Sequence, residues 1–191
     1  MRAHIIDLAL AVVKERGADE PTLDDFIAAG DVAKGTFYNH FRTKNELLFA
    51  VGAHVADEID DRIRPIIADI DDPAQRIAIA SRMFIRSCKE HPEWGWMLLR
   101  SVPNLHSGWS EDMRRGVLAD IRSGIRAQRF DVPSVQVAVV MGLGALTMAI
   151  QTQLVEKTPA GFAEAVAESM LRAMGMSATD ARAIARLPVR L

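Results

Sequence analysis

Apolar residues recur three and four positions apart along almost the whole chain, and no strand-like alternation is sustained anywhere. Ile5, Ala9, Val12 and Val13 form the first stripe, and Gly17 closes it as a natural helix C-terminus. Thr22 with Asp25 reads as a capping box opening a short second helix that carries Leu23, Phe26 and Ile27 and ends near Gly30–Asp31. A short third helix holds Lys34 to His40. Thr43 with Glu46 is a second capping box. It opens a long helix whose buried face is Leu47, Leu48, Val51, Val55, Ile59 and Ile63, with a stop near Pro65.

The same punctuation continues downstream. Asp72–Pro73 gives an N-cap followed by Pro at the first helical position, leading into Ile77, Ala80, Phe84 and Cys88, and His91–Pro92 ends that helix. A short helix follows over Trp94 to Leu99, and Pro103 to Gly108 reads as loop. Ser110 with Glu111 and Asp112 starts a helix bearing Met113, Val117, Ile121 and Ile125. Pro133 opens a helix in a stretch without a single charge from Val132 to Val155. Thr158–Pro159 opens the next, with Phe162, Val166, Met170 and Met174, closed by Gly175. Ser177 with Asp180 caps a final short helix that Pro188 ends. The pattern predicts an all-α fold of about nine or ten helices. An N-terminal helix-turn-helix domain is expected over 1–48 and a larger helical domain over 49–191.

Charge changes this picture only locally. The net charge is −2, so whole-chain electrostatics give no sign of nucleic-acid binding. From Val32 to Asn45, however, there is no acidic residue, while Lys34, Arg42 and Lys44 are positive and His40 can become so. Any phosphate contact is expected there. Cys88 is the single cysteine, which excludes an internal disulfide and fits a reducing compartment. The N-terminus lacks a signal-peptide layout. The longest apolar stretch, Val137 to Ile150, is short for a membrane span and more typical of a buried helix. A soluble, cytoplasmic protein is expected.

Three short helices and then a long one, with the second and third separated by a few residues, is the layout of a helix-turn-helix. The third helix divides its labour accordingly. Phe37 and Phe41, four apart, face inward with Phe26 and Val32, leaving Lys34, Thr36, Tyr38, Asn39 and His40 outside, and Gly35 permits close approach to a backbone. The stretch TLDDFIAAGDVAKGTFYNHFRTKNELL, Thr22 to Leu48, resembles the DNA-binding signature of TetR/AcrR-family transcriptional regulators. About a dozen positions match at fixed spacing, specifically within residues 5–50. Asp31 and Ala33 depart from the Gly and Ser usual there, which bears on the turn and on the N-cap of the third helix.

The resemblance implies a dimeric regulator binding a palindromic DNA operator, and it implies roles for single residues. Thr22, Tyr38 and Lys44 would bond phosphates, fixing register. Lys34, Thr36 and Asn39 would face base edges, beside Gly35 and His40. A helix with no charge on any side needs apolar cover all round. A second copy supplies it, or else the helix is the central core of a monomer. In the family the last two long helices form the dimer interface, here about 133–156 and 159–174. Val135, Val139, Gly142, Leu146, Ala149, Phe162, Val166 and Met170 are the expected contacts. A small apolar or aromatic effector is expected among Phe84, Cys88, Trp94, Trp96, Met97, Met113, Met141 and Met148, soft side chains that equally suit an ordinary core.

No phosphate loop, dinucleotide fingerprint or metal-ligand spacing is present, so neither a cofactor nor a metal is expected. Cys88 and His91, three apart, lack a marked orienting group or oxyanion site, so no catalytic residue is assigned. Two rivals remain at this point. One is an all-helical enzyme using a pocket within 70–155. The other is a protein-interaction module with a degenerate helix-turn-helix.

Overall fold

The structure, a computed structural model, describes residues 1–30, 32–101 and 110–189. Ten α-helices and no strand occur among the described residues: α1 (Arg2–Arg16), α2 (Leu23–Ala29), α3 (Lys34–His40), α4 (Lys44–Ile67), α5 (Pro73–Glu90), α6 (Pro92–Ser101), α7 (Glu111–Arg126), α8 (Val135–Val155), α9 (Phe162–Ala173) and α10 (Ala178–Ala185). The expected turn residue Asp31 and the 103–108 loop lie outside the described residues.

Local chemistry accounts for most boundaries. Side chains of Thr22, Thr43, Asp72, Ser110, Ser134 and Ser177 each accept a hydrogen bond from a backbone N–H in the first turn of the helix they precede. The Thr22–Asp25 box is reciprocal, with the Thr22 N–H donating to Asp25 Oδ2 at 2.7 Å. At the second box, Glu46 reaches one residue further back and takes the Arg42 N–H at 2.9 Å. Two boundaries differ from expectation. Helix α4 runs through Pro65 to Ile67, because Pro65 sits exposed in the last turn, where the carbonyl it leaves unpaired can turn to water. Helix α9 begins at Phe162 rather than at Pro159, since Gly161 takes a left-handed conformation (φ 76°) that ends the preceding turn.

One continuous apolar cluster runs from Ile5 and Phe37 in the first three helices, along α4, to Phe84, Met97 and Ile150, so it crosses the expected boundary at 48/49. Helices α4 and α6 pack tightly at Gly52, where a Cβ would collide with the Met97 carbonyl. A second, smaller cluster joins the start of α5 to α9 and α10 through Ala78, Leu171 and Ala181. Arg82, almost fully buried, donates from a terminal guanidinium nitrogen to the Leu187 carbonyl at 2.6 Å and so ties the C-terminal segment to α5.

Candidate functional site

Helix α3 has seven residues, too few to be stable alone. Two phenylalanines hold it: Phe37 and Phe41 are fully buried, with ring centroids 6.2 Å apart. Their burial turns Lys34, Gly35, Tyr38 and Asn39 outward, with Thr36 and His40 half-exposed. Among the described residues, nothing beyond its chain neighbours and its own helix backbone approaches within 4 Å of where a Cβ at Gly35 would sit. Ala33 occupies the N-cap with no side-chain hydrogen bond. Gly30 has a right-handed backbone (φ −89°), and Leu8 and Val32 lie 3.3 and 3.4 Å from where its Cβ would sit.

The expected DNA-facing cations have partners within the chain. Lys34 Nζ lies 2.8 Å from Asp24 Oδ1, bridging α3 to α2, and this bond raises the Lys34 pKa. Both side chains are well exposed, so the pair is weak and exchangeable. Lys44 Nζ donates to the Asp19 carbonyl at 2.7 Å. The Asp19 carboxylate pairs with Arg100 of α6, so the start of α4 is linked to α6 as well as to the head. Thr22 is exposed, but its hydroxyl is committed to Asp25, whose carboxyl it holds below the usual range.

A cavity of about 170 Å³ lies among α4, α5, α7, α8 and α9. Its walls are mostly apolar: Ile63, Ile67, Ile77, Phe84, Met113, Val117, Ile121, Val139, Leu143, Leu146, Met170 and Met174. Polar groups enter from Ser81 and from Asp60, Arg64, Asp112 and Asp120. Burial raises the Asp60 pKa against the opposing effect of Arg64, whose Nε donates to Asp60 Oδ2 at 2.8 Å.

Helix α8 packs on α5, α6, α7 and α9, yet turns an apolar stripe outward. Val137, Met141, Gly144, Met148 and Val155 are exposed along one line of three- and four-residue steps, with Gln151 between the last two and Val140 alongside. Val140 is 71% exposed and Met148 58%. By length and composition α8 alone among the described helices is apolar enough to cross a membrane.

Residues 5–51 match the family model described as bacterial regulatory proteins, tetR family, and residues 72–187 match that of the tetracyclin repressor-like C-terminal domain. The chain belongs to the tetR family of bacterial regulatory proteins.

Curated relatives of this TetR-family chain match over about a third of its length. The HTH-type transcriptional repressor DhaR of Mycobacterium sp. (strain GP1) is 36% identical over 73 residues, 38% of this chain and 35% of that protein. The uncharacterized HTH-type transcriptional regulator YvdT of Bacillus subtilis (strain 168) is 33% identical over 63 residues, 31% of this chain and 32% of that protein. The chain thus matches about a third of either relative's length. Over the whole fold it is similar to crystal structures of RolR. The form without ligand superposes with a TM-score of 0.83 at 26% identity, covering 99% of this chain and 98% of that one. The form in complex with resorcinol gives 0.80 at 26% identity, covering 100% and 95%. These families and relatives are regulators, not enzymes.

Of the residues expected around an effector, Phe84 and Met113 line the cavity, and the others lie elsewhere. Cys88 is buried beside Gly95, and burial pushes its thiol pKa up to about 12, which makes it inert as a nucleophile. Trp94 stacks on His91, with Arg62 over its ring. Met97 is buried at the α4–α6 crossing, and Trp96 faces a surface cleft beside Lys14 and Arg100. Met141 and Met148 are on the outer stripe of α8.

The face of α8 expected to meet a second copy is the inner one. Gly142 and Ala149 are buried, Val139, Gly142 and Leu146 line the cavity, and Val135 is half-buried. Met170 lines the same cavity, while Phe162 and Val166 pack half-buried on the main core. Apolar residues surround α8 on all sides, so periodicity held no sign of which side faced in. The cavity residues that sequence reasoning missed did leave a trace. On α7, Val117 and Ile121 continue the apolar stripe of the expected Met113, and it runs beside Asp112, Gly116 and Asp120, all at spacing four.

Proposed function

We propose that the chain is an effector-responsive transcriptional repressor that binds a palindromic operator as a dimer and is released by a small apolar or aromatic molecule. The observation that carries this reading is the division of α3. Two phenylalanines bury one side, and the other presents Gly35, Tyr38 and Asn39 to open space. Lys34, Thr36 and Asn39 would read base edges, with Gly35 and His40 beside them. Thr22, Tyr38 and Lys44 would hold phosphates, Lys44 at the positive end of α4. Residues 1–48 act as the reading head, and 49–191 carry the effector and the second copy.

Paired heads need a two-fold assembly. The exposed stripe of α8 supports one, since a stripe of this kind gains stability by packing on its own copy. Support for repression comes from the name of DhaR, and for a ring-sized effector from RolR with resorcinol. A cytoplasmic location goes with this reading. Helix α4 is the natural lever. Lys44 stands at the head, and Asp60, Ile63 and Arg64 stand in the cavity wall, about 28 Å along the helix by its rise per residue. An effector shifts the heads only by binding their two arrangements unequally.

The test is a gel shift with the DNA upstream of the protein's own gene, alongside solution mass. A discrete complex with two chains per duplex is expected. A monomer that ignores every duplex would sink the reading in favour of an interaction module.

A further inference from the structure

We infer that the effector is an uncharged, single-ring-sized phenol or alcohol whose hydroxyl donates to Asp60, and that the same cavity rejects carboxylic acids. This rests on the effector reading above and goes further by naming the class. Size sets the first limit. The cavity measures about 170 Å³, and an apolar cavity of about 150 Å³ is enough for benzene. One ring with one or two added heteroatoms fills that space.

Charge sets the second limit. Three carboxylates, those of Asp60, Asp112 and Asp120, reach the lining, and Arg64 is the single cation among the described residues there. Arg64 is already held by two carboxylates, Asp60 at 2.8 Å and Asp61 at 3.2 Å. Asp120 is likewise taken, by Arg76 at 2.7 Å. A ligand carboxylate would therefore enter an apolar site with no unengaged cation, and desolvation without a partner strongly disfavours that. An ammonium would meet carboxylates that arginines already neutralise, Asp60 paired with Arg64, Asp120 with Arg76 and Asp112 with Arg115.

A hydroxyl fares differently. Asp60 Oδ2 accepts from Arg64, and among the described residues Oδ1 has no hydrogen-bond partner. Asp60 is half-buried at the wall, so a donor there makes a charge-assisted bond in reduced competition with water.

The experiment is calorimetric titration of the full-length protein with resorcinol, phenol, toluene, benzylamine and benzoate, repeated with Asp60→Asn. Resorcinol or phenol should bind about tenfold or more tighter than toluene, benzylamine or benzoate, the factor a charge-assisted hydrogen bond supplies over a neutral or absent one. Asp60→Asn should lower phenol affinity and narrow its lead over benzoate. Benzoate or benzylamine binding as well as phenol, neither phenol binding, or an unchanged phenol-to-benzoate ratio in a folded Asp60→Asn would each overturn the inference. Operator binding without effector is read separately, so failure of the ligand class and failure of the repressor reading are distinguishable.

Discussion

Helices α3 and α8 both leave one side uncovered, and the two sides are opposites. The outer side of α3 is short and polar, with Lys34, Tyr38 and Asn39 around an open Gly35. The outer side of α8 is long and apolar, with Val137, Met141 and Met148 in register along it. Donors and acceptors choose a partner by directed bonds, which suits base edges and phosphates. An apolar stripe gains from area alone, and the surface that matches it most simply is its own copy. On the proposed reading the head discriminates and α8 associates. The largest expected effect tests this second half. Val140→Glu with Met148→Glu would force four carboxylates into the interface of a dimer, at several kcal/mol for each buried charge without a partner. The solution mass should fall from two chains to one while helical content stays, because both sites are exposed in the single chain. A persistent dimer would move the interface elsewhere.

The next effect belongs to α3. It depends on two rings, so Phe41→Ala should destabilise the head by about 3–5 kcal/mol. Urea unfolding should then show an early transition with loss of DNA binding. A loss under about 1 kcal/mol would mean that α3 is held by something other than its buried ring.

The contrast also explains what could be read from the chain alone. In the head, the caps at Thr22 and Thr43 and the Phe37–Phe41 spacing fixed both the helices and their buried sides, because polar and apolar residues alternate sharply there. On α8 the same kind of reading yielded the helix but not which side the single chain leaves exposed, since apolar residues lie on every side of it. The cavity was hidden for another reason. Its walls come from five helices distant in sequence, and its polar groups, Asp60 and Asp120, look like ordinary surface charges until α4, α5 and α7 are packed together. Trp94 and Met97 have the chemistry of a pocket and the location of a core.

A smaller effect separates register from specificity within the head. Lys44→Ala removes one charged contact, for which roughly tenfold weaker DNA binding is expected. The loss should be equal for every sequence, and the salt slope should fall by about one. Asn39→Ala should instead change which operator positions matter. If Lys44→Ala altered sequence preference and left the salt slope alone, its bond to the Asp19 carbonyl would be its function and phosphate contact would not.

The smallest expected change is a gain. Ala33 caps α3 without a side-chain hydrogen bond, whereas Thr22 and Thr43 cap their helices with one. Its backbone (φ −55°, ψ 134°) is already extended and its side chain exposed, so serine enters without strain and reaches the first-turn N–H groups of Gly35 or Thr36. Ala33→Ser should therefore stabilise the head by about 1 kcal/mol. The dimer mass should not move, since α8 lies outside the change. If stability rose and operator affinity fell, the looser α3 of the natural chain would be an adaptation to the duplex, with the first-turn N–H groups kept open for a phosphate rather than closed by a side chain.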